Sequence, residues 1–548
     1  MDVNTKESGG YPMQKNRMLG TLIPVLLAVL VTGIGYYVTL PPLNPHSSQF
    51  WTFFFFTLAV IGGAGLLISL AHRKIVVVNQ HMKLPVFIKV LLVIAGIALA
   101  LLLIFSIASS QLLRAGTYSS LITVEQGDFA EDVPQSEYVT DIALMDSDSA
   151  RIIGARTLGT LSDLVSQYNV SDTYTQIAME GVPFKVSPLE HASFFKWLQN
   201  GSKGIPGYVK VDPVAFDAEF VRLEQYITIS PSCYLGDDLM RALRFAAPTA
   251  IWGSVYFEVD DQGNPFWIAS VLEPQAGWFG AYDVTEVVVM DACTGEAQTY
   301  ALGEVPAWVD IVFTGYLICE KYDWYGMLGG GYLNSIFSQT GCVVTTDDFG
   351  YKIIGDDVYV FTGVTSVSND EANIGFILVN SRTGEYTYYA VPGAEEYSAM
   401  AAAEGSVQQY RYEASFPTLI NVNGEATYIM VLKDASGIVK MYSMVNVENY
   451  NLVVTSETQN DVFQKYKARL SQSGVNVDSD SLESRTITVE EILYIPNNGT
   501  TTVYIRSTDG KVYKIAFDES LLLTTAGDRL TVYYTIEEPI TQLVKFEQ

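Results

Sequence analysis

Histidine is scarce. The chain has four, and only His191 lies beyond residue 114. That excludes a histidine-rich metal centre and makes any Ser–His–Asp arrangement depend on one residue. The spacing around His191 predicts the first turn of a helix, where a solvated role outweighs that of a catalytic base. Basic residues are also few, with 32 Lys+Arg against 60 Asp+Glu and a net charge of −28. A field of that sign disfavours nucleic acid and anionic lipid and tolerates divalent cations and basic partners. Cysteine is limited to Cys233, Cys293, Cys319 and Cys342. Their spacing matches no zinc pattern. Three disulfide pairings are open, and buried free thiols compete with all of them. Gly329-Gly330-Gly331 is not followed by Lys-Ser/Thr, so a phosphate loop is excluded and a turn is expected. No catalytic constellation and no cofactor motif emerges.

What the chain does have is three long apolar runs near its start: Leu19 to Leu40, Phe50 to Ala71 and Val86 to Ser110. Each reaches the ~20 residues a helix needs to cross ~30 Å of hydrocarbon. The first run is longer than a signal-peptide core and is read as retained. Lys6, Lys15 and Arg17 precede it, the loop Pro41 to Ser48 carries no Lys or Arg, and Arg73, Lys74 and Lys83 separate the second and third runs. The positive-inside rule then puts residues 1–18 in the cytoplasm and everything after Arg114 outside, with Tyr36, Tyr37, Trp51 and Phe53 to Phe56 near the outer interface. Lys89 is the one ionisable group inside the runs, close enough to an end to snorkel, so they read as an anchor and not as a transport path. Ala59, Gly62, Gly63 and Gly65 offer small faces for helix contact.

Residues 1–114 hold eight Lys+Arg and two Asp+Glu, which leaves −34 for residues 115–548. That outer part is long enough for more than one core. Residues 115–135 read as a tether, 136–456 as an extracytoplasmic α+β body, 457–482 as a helix and linker, and 483–548 as a small β-barrel of the OB- or SH3-like kind. In the body, helices are predicted at Ala155 to Tyr168, after a Ser187-Pro188-Leu189-Glu190 capping box, at Gly236 to Ala247 and at Pro306 to Tyr322. Strands are predicted at Gly207 to Val211, Tyr226 to Ser230 and Val255 to Val259. Thr458 to Asp461 caps a helix with Val462, Phe463, Tyr466 and Leu470 on its apolar face, and Gly474 to Ser481 is a polar linker. The tail carries five strand patterns, with hairpin turns at Asn498-Gly499, Asp509-Gly510 and Gly527-Asp528. It lacks a basic, aromatic-lined groove, which speaks against nucleic acid.

The body contains an internal repeat. Val287 to Tyr300 reads VVVMDACTGEAQTY, and Ile377 to Tyr389 reads ILVNSRTGEYTYY. Each has an apolar strand, Asp291 or Asn380, a Thr-Gly-Glu turn and a second strand. Each follows an earlier strand, Phe266 to Val271 or Tyr359 to Val364. Asp or Asn caps such a turn through its side chain, and Gly supplies positive φ. A weaker third copy runs from Thr427 to Val454. Acidic pairs at Asp146/Asp148, Asp260/Asp261, Asp347/Asp348, Asp356/Asp357 and Asp478/Asp480 lack the full calcium-loop pattern and read as solvated turns, with weak calcium sites as the alternative.

The strand–strand–turn–strand pattern resembles the PepSY module of extracytoplasmic bacterial proteins. Gly204-Ile205-Pro206-Gly207-Tyr208 with Val211-Asp212-Pro213, Val305-Pro306-Ala307-Trp308-Val309-Asp310, and Glu396-Tyr397-Ser398-Ala399-Met400 with Ala403-Glu404-Gly405 extend the resemblance. Together they are similar to a family of Gram-positive bacterial multi-pass membrane proteins with PepSY-like repeats. The resemblance implies placement and a regulatory or binding role and supplies no activity. The expectation is a non-catalytic cell-surface binding or scaffold protein, held in the lipid bilayer by residues 19–114, with an envelope protein as partner. It has no nucleic acid and no cofactor, and a homo-oligomer is compatible. Two alternatives stand beside it: an envelope enzyme, such as a wall-glycan hydrolase using paired carboxylates, and an accessory subunit of a transport assembly.

Overall fold

A computed structural model describes residues 12–72, 77–78, 81–82, 85–136, 142–367, 369–473, 475, 483–497, 500–534 and 539–547. The three apolar runs form α1 (Pro12–Thr39), α2 (Ser48–Ala71) and α3 (Val86–Ala108), each long and apolar enough to cross a membrane. Their Leu, Ile, Val and Phe side chains point outward along most of their length, a surface that water would not tolerate and lipid would. Ser47 caps α2 by accepting from Gln49 N (3.2 Å). Of the predicted small face, Gly62 and Gly65 lie against Leu91 and Phe87 of α3, while Gly63 has no neighbour. Lys6, Arg73, Lys74 and Lys83 lie outside the described residues.

The body is mixed α+β, built from four sheets whose main strands are antiparallel and follow one another along the chain; one early strand, Val124–Gly127, joins the third in parallel. The first has Tyr168–Val170 and Thr175–Met179, then Val182–His191, Ile205–Asp212 and Asp217–Ile227. The second has Trp252–Val259, Pro265–Ala276, Gly280–Asp291 and Ala297–Ala301. The third has Val343–Thr345 and Gly350–Ile354, Asp357–Ser366, Asn369–Asn380 and Tyr386–Tyr389. The main strands of the fourth are Thr418–Val422, Glu425–Lys433, Val439–Asn446 and Val453–Ser456.

Strand alternation explains how the sheets stack. Trp267, Ala269 and Val271 of the second sheet face a core shared with Val186 and Val209 of the first. Ile268, Val287 and Val289, on its other face, meet Val360, Ile377 and Val379 of the third. Phe361, Phe376 and Leu378 of the third then meet Tyr428, Met430 and Leu432 of the fourth. Because these sheets are buried on both faces, their strands are continuous apolar runs such as VVVM and YIMVL instead of alternating ones. The fourth sheet returns to the first: Phe216 packs edge-on to Tyr442, and Lys433 pairs with Asp146.

Several predicted elements differ. Residues 115–135 are not a tether. They form most of α4 (Gln111–Ser119), the strand Val124–Gly127 and α5 (Phe129–Asp132), with Tyr118, Phe129 and Val133 buried. Asp146 caps α6 (Ser147–Gly159), so that helix begins eight residues early and Tyr168 is a strand residue. The Ser187-Pro188-Leu189-Glu190 box is strand. Ser187 Oγ donates to Ser171 O (3.0 Å), and Val186 and Leu189 are fully buried, so burial outweighs the local capping signal. The helix α7 (Phe194–Asn200) starts after Ser193, and His191 ends a strand. Residues 306–314 are not helical: Val309 N closes a turn on Pro306 O, and the amides that follow are claimed elsewhere, Asp310 and Ile311 N donating to Glu258 and Val312 and Phe313 N to Ser381 O. The helix there, α9, spans Gly315–Leu328 under a Thr314 cap. The predicted Gly236 helix is α8 (Leu239–Ala246). The predicted strand Tyr226 to Ser230 ends at Ile227, and Thr228 and Ile229 N both donate to Ala292 O. α10 spans Glu396–Ser406.

Thr458 caps α11 (Gln459–Gln472), whose Val462, Phe463, Tyr466 and Leu470 are buried on the fourth sheet as the pattern required. The tail strands pair in the order Glu483–Asn497, Thr500–Ser507, Val512–Ala516, Ile540–Glu547 and Arg529–Tyr534, the last returning to the first. Gly510 (φ 83°) and Gly527 (φ 100°) make two of the expected turns. Asn498-Gly499, Asp478/Asp480 and the linker Gly474 to Ser481, apart from Val475, lie outside the described residues.

The three apolar helices and the body meet in a built junction. The loop after α1 lies along the second sheet: Leu43 N donates to Pro248 O (2.8 Å), and Tyr282 OH donates to His46 O (2.5 Å). Trp278 stacks on Phe105 of α3 at 4.6 Å, and its ring nitrogen donates to Pro45 O (3.0 Å). Ser109 Oγ, just past α3, accepts from Trp278 N and Phe279 N (2.7 and 3.1 Å). Arg244, buried on α8, donates to Leu40 O (3.0 Å).

Candidate functional site

The repeat turns superpose bond for bond. Asp291 Oδ1 accepts from Cys293 N and Thr294 N, and Asn380 Oδ1 from Arg382 N and Thr383 N. Gly295 N and Gly384 N donate back to the carbonyls of Asp291 and Asn380, with φ of 77° and 73°. The third copy keeps the device in part: Asn446 Oδ1 accepts from Asn449 N. A fourth instance, without glycine, lies in the first sheet. There Asp212 Oδ1 accepts from Val214 N and Ala215 N, and Phe216 takes the positive φ.

The two full copies differ at their last strand. In the third sheet Val124–Gly127 adds in parallel to Tyr386–Tyr389, in register from Tyr386↔Val124 to Tyr389↔Gly127. In the second sheet, Ala297–Ala301 occupies the equivalent place. Among the described residues no strand pairs with its outer edge, and all but Tyr300 are exposed. Asp291 N donates to Glu296 O (2.9 Å), so alternation of the antiparallel ladder turns the N–H and C=O of Ala297 and Thr299 outward. This is an open edge with unpaired main-chain groups.

A cavity of about 370 Å³ lies where the first, third and fourth sheets converge, lined among others by Pro183, Tyr351, Lys352, Ile354, Thr418 and Ile420. Lys352 Nζ donates to Leu419 O (2.9 Å), and desolvation pushes its ammonium down to about 8. Lys185 follows two residues after Pro183 on the same strand face, and burial brings it down to about 8 against the opposing pull of Asp146. Neither lysine was singled out in the sequence. The available signal was a charge flanked by Tyr351 and Ile353 in an otherwise apolar strand.

Two acids do come together, but inside the protein. Glu258 (0% exposed) accepts from Asp310 N and Ile311 N (2.9 and 3.0 Å), and Asp310 (1%) accepts from Ala178 N (2.8 Å). Burial, reinforced at Asp310 by the neighbouring Glu258, raises both carboxyls well above their usual range. The pair ties the first and second sheets together and does not line that cavity. Glu396 is buried too; it accepts from Gly363 N (2.8 Å), and burial pushes it up to about 7.

The remaining candidates take structural places. All four cysteines are free thiols, and burial pushes Cys233, Cys293 and Cys319 up to about 12. His191 is buried beside Tyr168 with neither ring nitrogen hydrogen-bonded, and desolvation lowers its pKa. Asp146 caps α6, Asp260 closes a turn through Gln262 N and Asn264 N, Asp356 accepts from Gly181 N, and Asp357 pairs with Arg382. Among the described residues no group of three or more His, Cys, Asp or Glu is placed to hold a metal ion. Gly329 ends α9, and Gly331 turns the chain with φ of 87°.

No family model matches the chain, and no curated protein matches it. Among solved structures it is similar to two mutants of an apocarotenoid oxygenase from Synechocystis, each at 9% identity. One match covers 52% of this chain and 60% of that chain with a TM-score of 0.15, the other 70% and 65% with a TM-score of 0.12. The chain thus spans under two thirds of the length of either, and scores this low carry no argument about fold or chemistry.

Proposed function

We propose that the chain is a non-catalytic binding or scaffold protein of the bacterial envelope, anchored by α1 to α3 with its acidic body outside the cell. It recruits an envelope protein partner by strand addition at Ala297–Ala301. The observation that carries this reading is the contrast between the repeat copies. One outer strand has taken up a further strand of the chain, and its counterpart has the same ladder geometry and a bare, exposed edge. An extended segment of a partner would gain main-chain hydrogen bonds there, with selectivity from alternate side chains. The repeats are read as PepSY-like modules and the tail as a small OB- or SH3-like barrel. The lysine and arginine distribution supports the orientation, and the shared docking of the first loop and the end of α3 on one body surface supports three crossings.

Affinity capture from native membranes, with a tag on the tail, tests the binding role. The wild-type protein should retain one defined envelope protein, and Thr299→Pro, which removes an outward N–H without touching the ladder inside, should lose at least tenfold of it. Equal recovery from both proteins would refute the edge. Hydrolysis of wall glycan by the purified protein, with nothing captured, would put the enzyme reading in its place. Protease added to intact cells should cut the body; an intact body there, cut only after permeabilisation, would reverse the orientation.

A further inference from the structure

Two apolar pads flank the junction, and neither is used by the body's cores. The first is on α7 and the segment before α8: Phe195, Leu198 and Leu235 are 76%, 64% and 63% exposed. Leu235 is held outward with φ of 57°, a strained backbone for a residue with a branched side chain. This pad is continuous with the end of α1. Phe194 and Trp197 pack on Tyr234, Arg241 donates to Leu235 O, and the same guanidinium lies 4.1 Å over the Tyr37 ring. The second pad, Leu333, Ile336 and Phe337, follows α9, with Phe337 80% exposed. It is continuous with the end of α3. Tyr118 of α4 donates to Ser109 O and packs edge-on to Trp324, and Tyr332 belongs to that same cluster.

We propose that these pads are seated in the lipid bilayer itself, in the interfacial layer where α1 and α3 emerge, so that the body lies down on the membrane. Exposed aromatic and aliphatic side chains of this size mark an interaction surface, and each pad is bonded through a few residues to the last turn of a span. Aromatic rings and guanidinium groups are the chemistry that suits the headgroup boundary. Arg241 is paired with Asp238 (3.8 Å) beside the first pad, so its charge is offset there and the apolar side chains, not a net positive field, carry the seating.

Spin labels on the full-length protein test this. The labelled variants are Phe195→Cys and Phe337→Cys, with Val29→Cys in α1 and Glu296→Cys as references. Glu296 lies past the far end of the strand Gly280–Asp291, roughly 35 Å from the docked Trp278 and Phe279 at its start. The protein is placed in phosphatidylcholine vesicles and, separately, one copy per lipid nanodisc. Labels at 195 and 337 should be reached by oxygen severalfold better than by a polar nickel chelate, as at 29, with the reverse at 296. If 29 behaves as lipid-exposed while 195 and 337 match 296, the proposal is wrong and the anchor stands. If 29 itself is open to the chelate, the anchor reading underneath it fails. Protection at 195 or 337 that appears in crowded vesicles and vanishes in single-copy nanodiscs would assign the pad to a second copy and also overturn the proposal.

Discussion

Replacing Glu396 by Gln should stabilise the body at neutral pH and leave it nearly unchanged at acid pH. The carboxyl is fully buried in the first turn of α10, where it accepts from Gly363 N (2.8 Å), and burial outweighs its hydrogen bonds. Burial raises it from 4.5 to about 7, so the folded protein holds a proton that the unfolded chain releases. A raised folded pKa gives stability that is complete below about 4.5 and is lost as pH climbs through about 7. At 1.36 kcal/mol per pH unit, the difference reaches ~3 kcal/mol at pH 8, to order of magnitude. Gln keeps the acceptor for Gly363 and never ionises. Glu258 and Asp310 titrate in both proteins and cancel in the comparison. Denaturant unfolding of nanodisc-embedded protein, followed by tryptophan fluorescence at pH 5 and pH 8, reads the effect. A wild-type-to-variant difference that is the same at both pH values would refute the reasoning, as would a loss of stability in the variant at pH 8.

Gly384→Ala and Gly295→Ala should each cost ~1–2 kcal/mol through positive φ. The former should cost more, because its new Cβ would lie 3.0 Å from Phe313 against 3.3 Å from Ile229 for the latter; unfolding midpoints rank them. Gly280→Ala would bring a Cβ within 2.4 Å of Ser109 O and Tyr118 OH, and should speed exchange of the Trp278 and Phe279 amides at least tenfold while distant amides keep their protection. Lys321→Met removes a buried ammonium and leaves Asp283, its half-buried partner at 2.7 Å, without a counter-charge, and should cost up to ~3 kcal/mol. The double variant with Asp283→Leu should recover most of that in the same unfolding assay.

The three apolar helices were legible because a long, uninterrupted apolar stretch is the strictest signal in the chain. The repeat turns were legible for a similar reason: Asp291 and Asn380 act on amides two and three residues away, so their chemistry is entirely local. The stack of four sheets was not legible. An antiparallel strand buried on both faces loses the alternation that normally marks it, and Ser187-Pro188-Leu189-Glu190 imitates a helix start only while the buried neighbours of Val186 and Leu189 are out of view. Residues 306–314 misled in the same way, since Glu258, about 50 positions earlier, claims their amides. Lys352 and the Glu258–Asp310 pair depend on contacts between sheets, which spacing along the chain does not encode. The tether was misread because a single strand such as Val124–Gly127 has no period of its own to detect.

The hydrogen bond from Arg244 to Leu40 means that the protein cannot be divided at Arg114. A fragment beginning there would keep a guanidinium that is only 2% exposed but lacks one of its carbonyls, and it would present Trp278 and Tyr282 to water without Pro45, His46 or Phe105. Producing residues 114–548 alone would therefore yield a loosened second sheet prone to self-association. The loop between α1 and α2 is in effect a part of the sheet body that happens to be translated two hundred residues early.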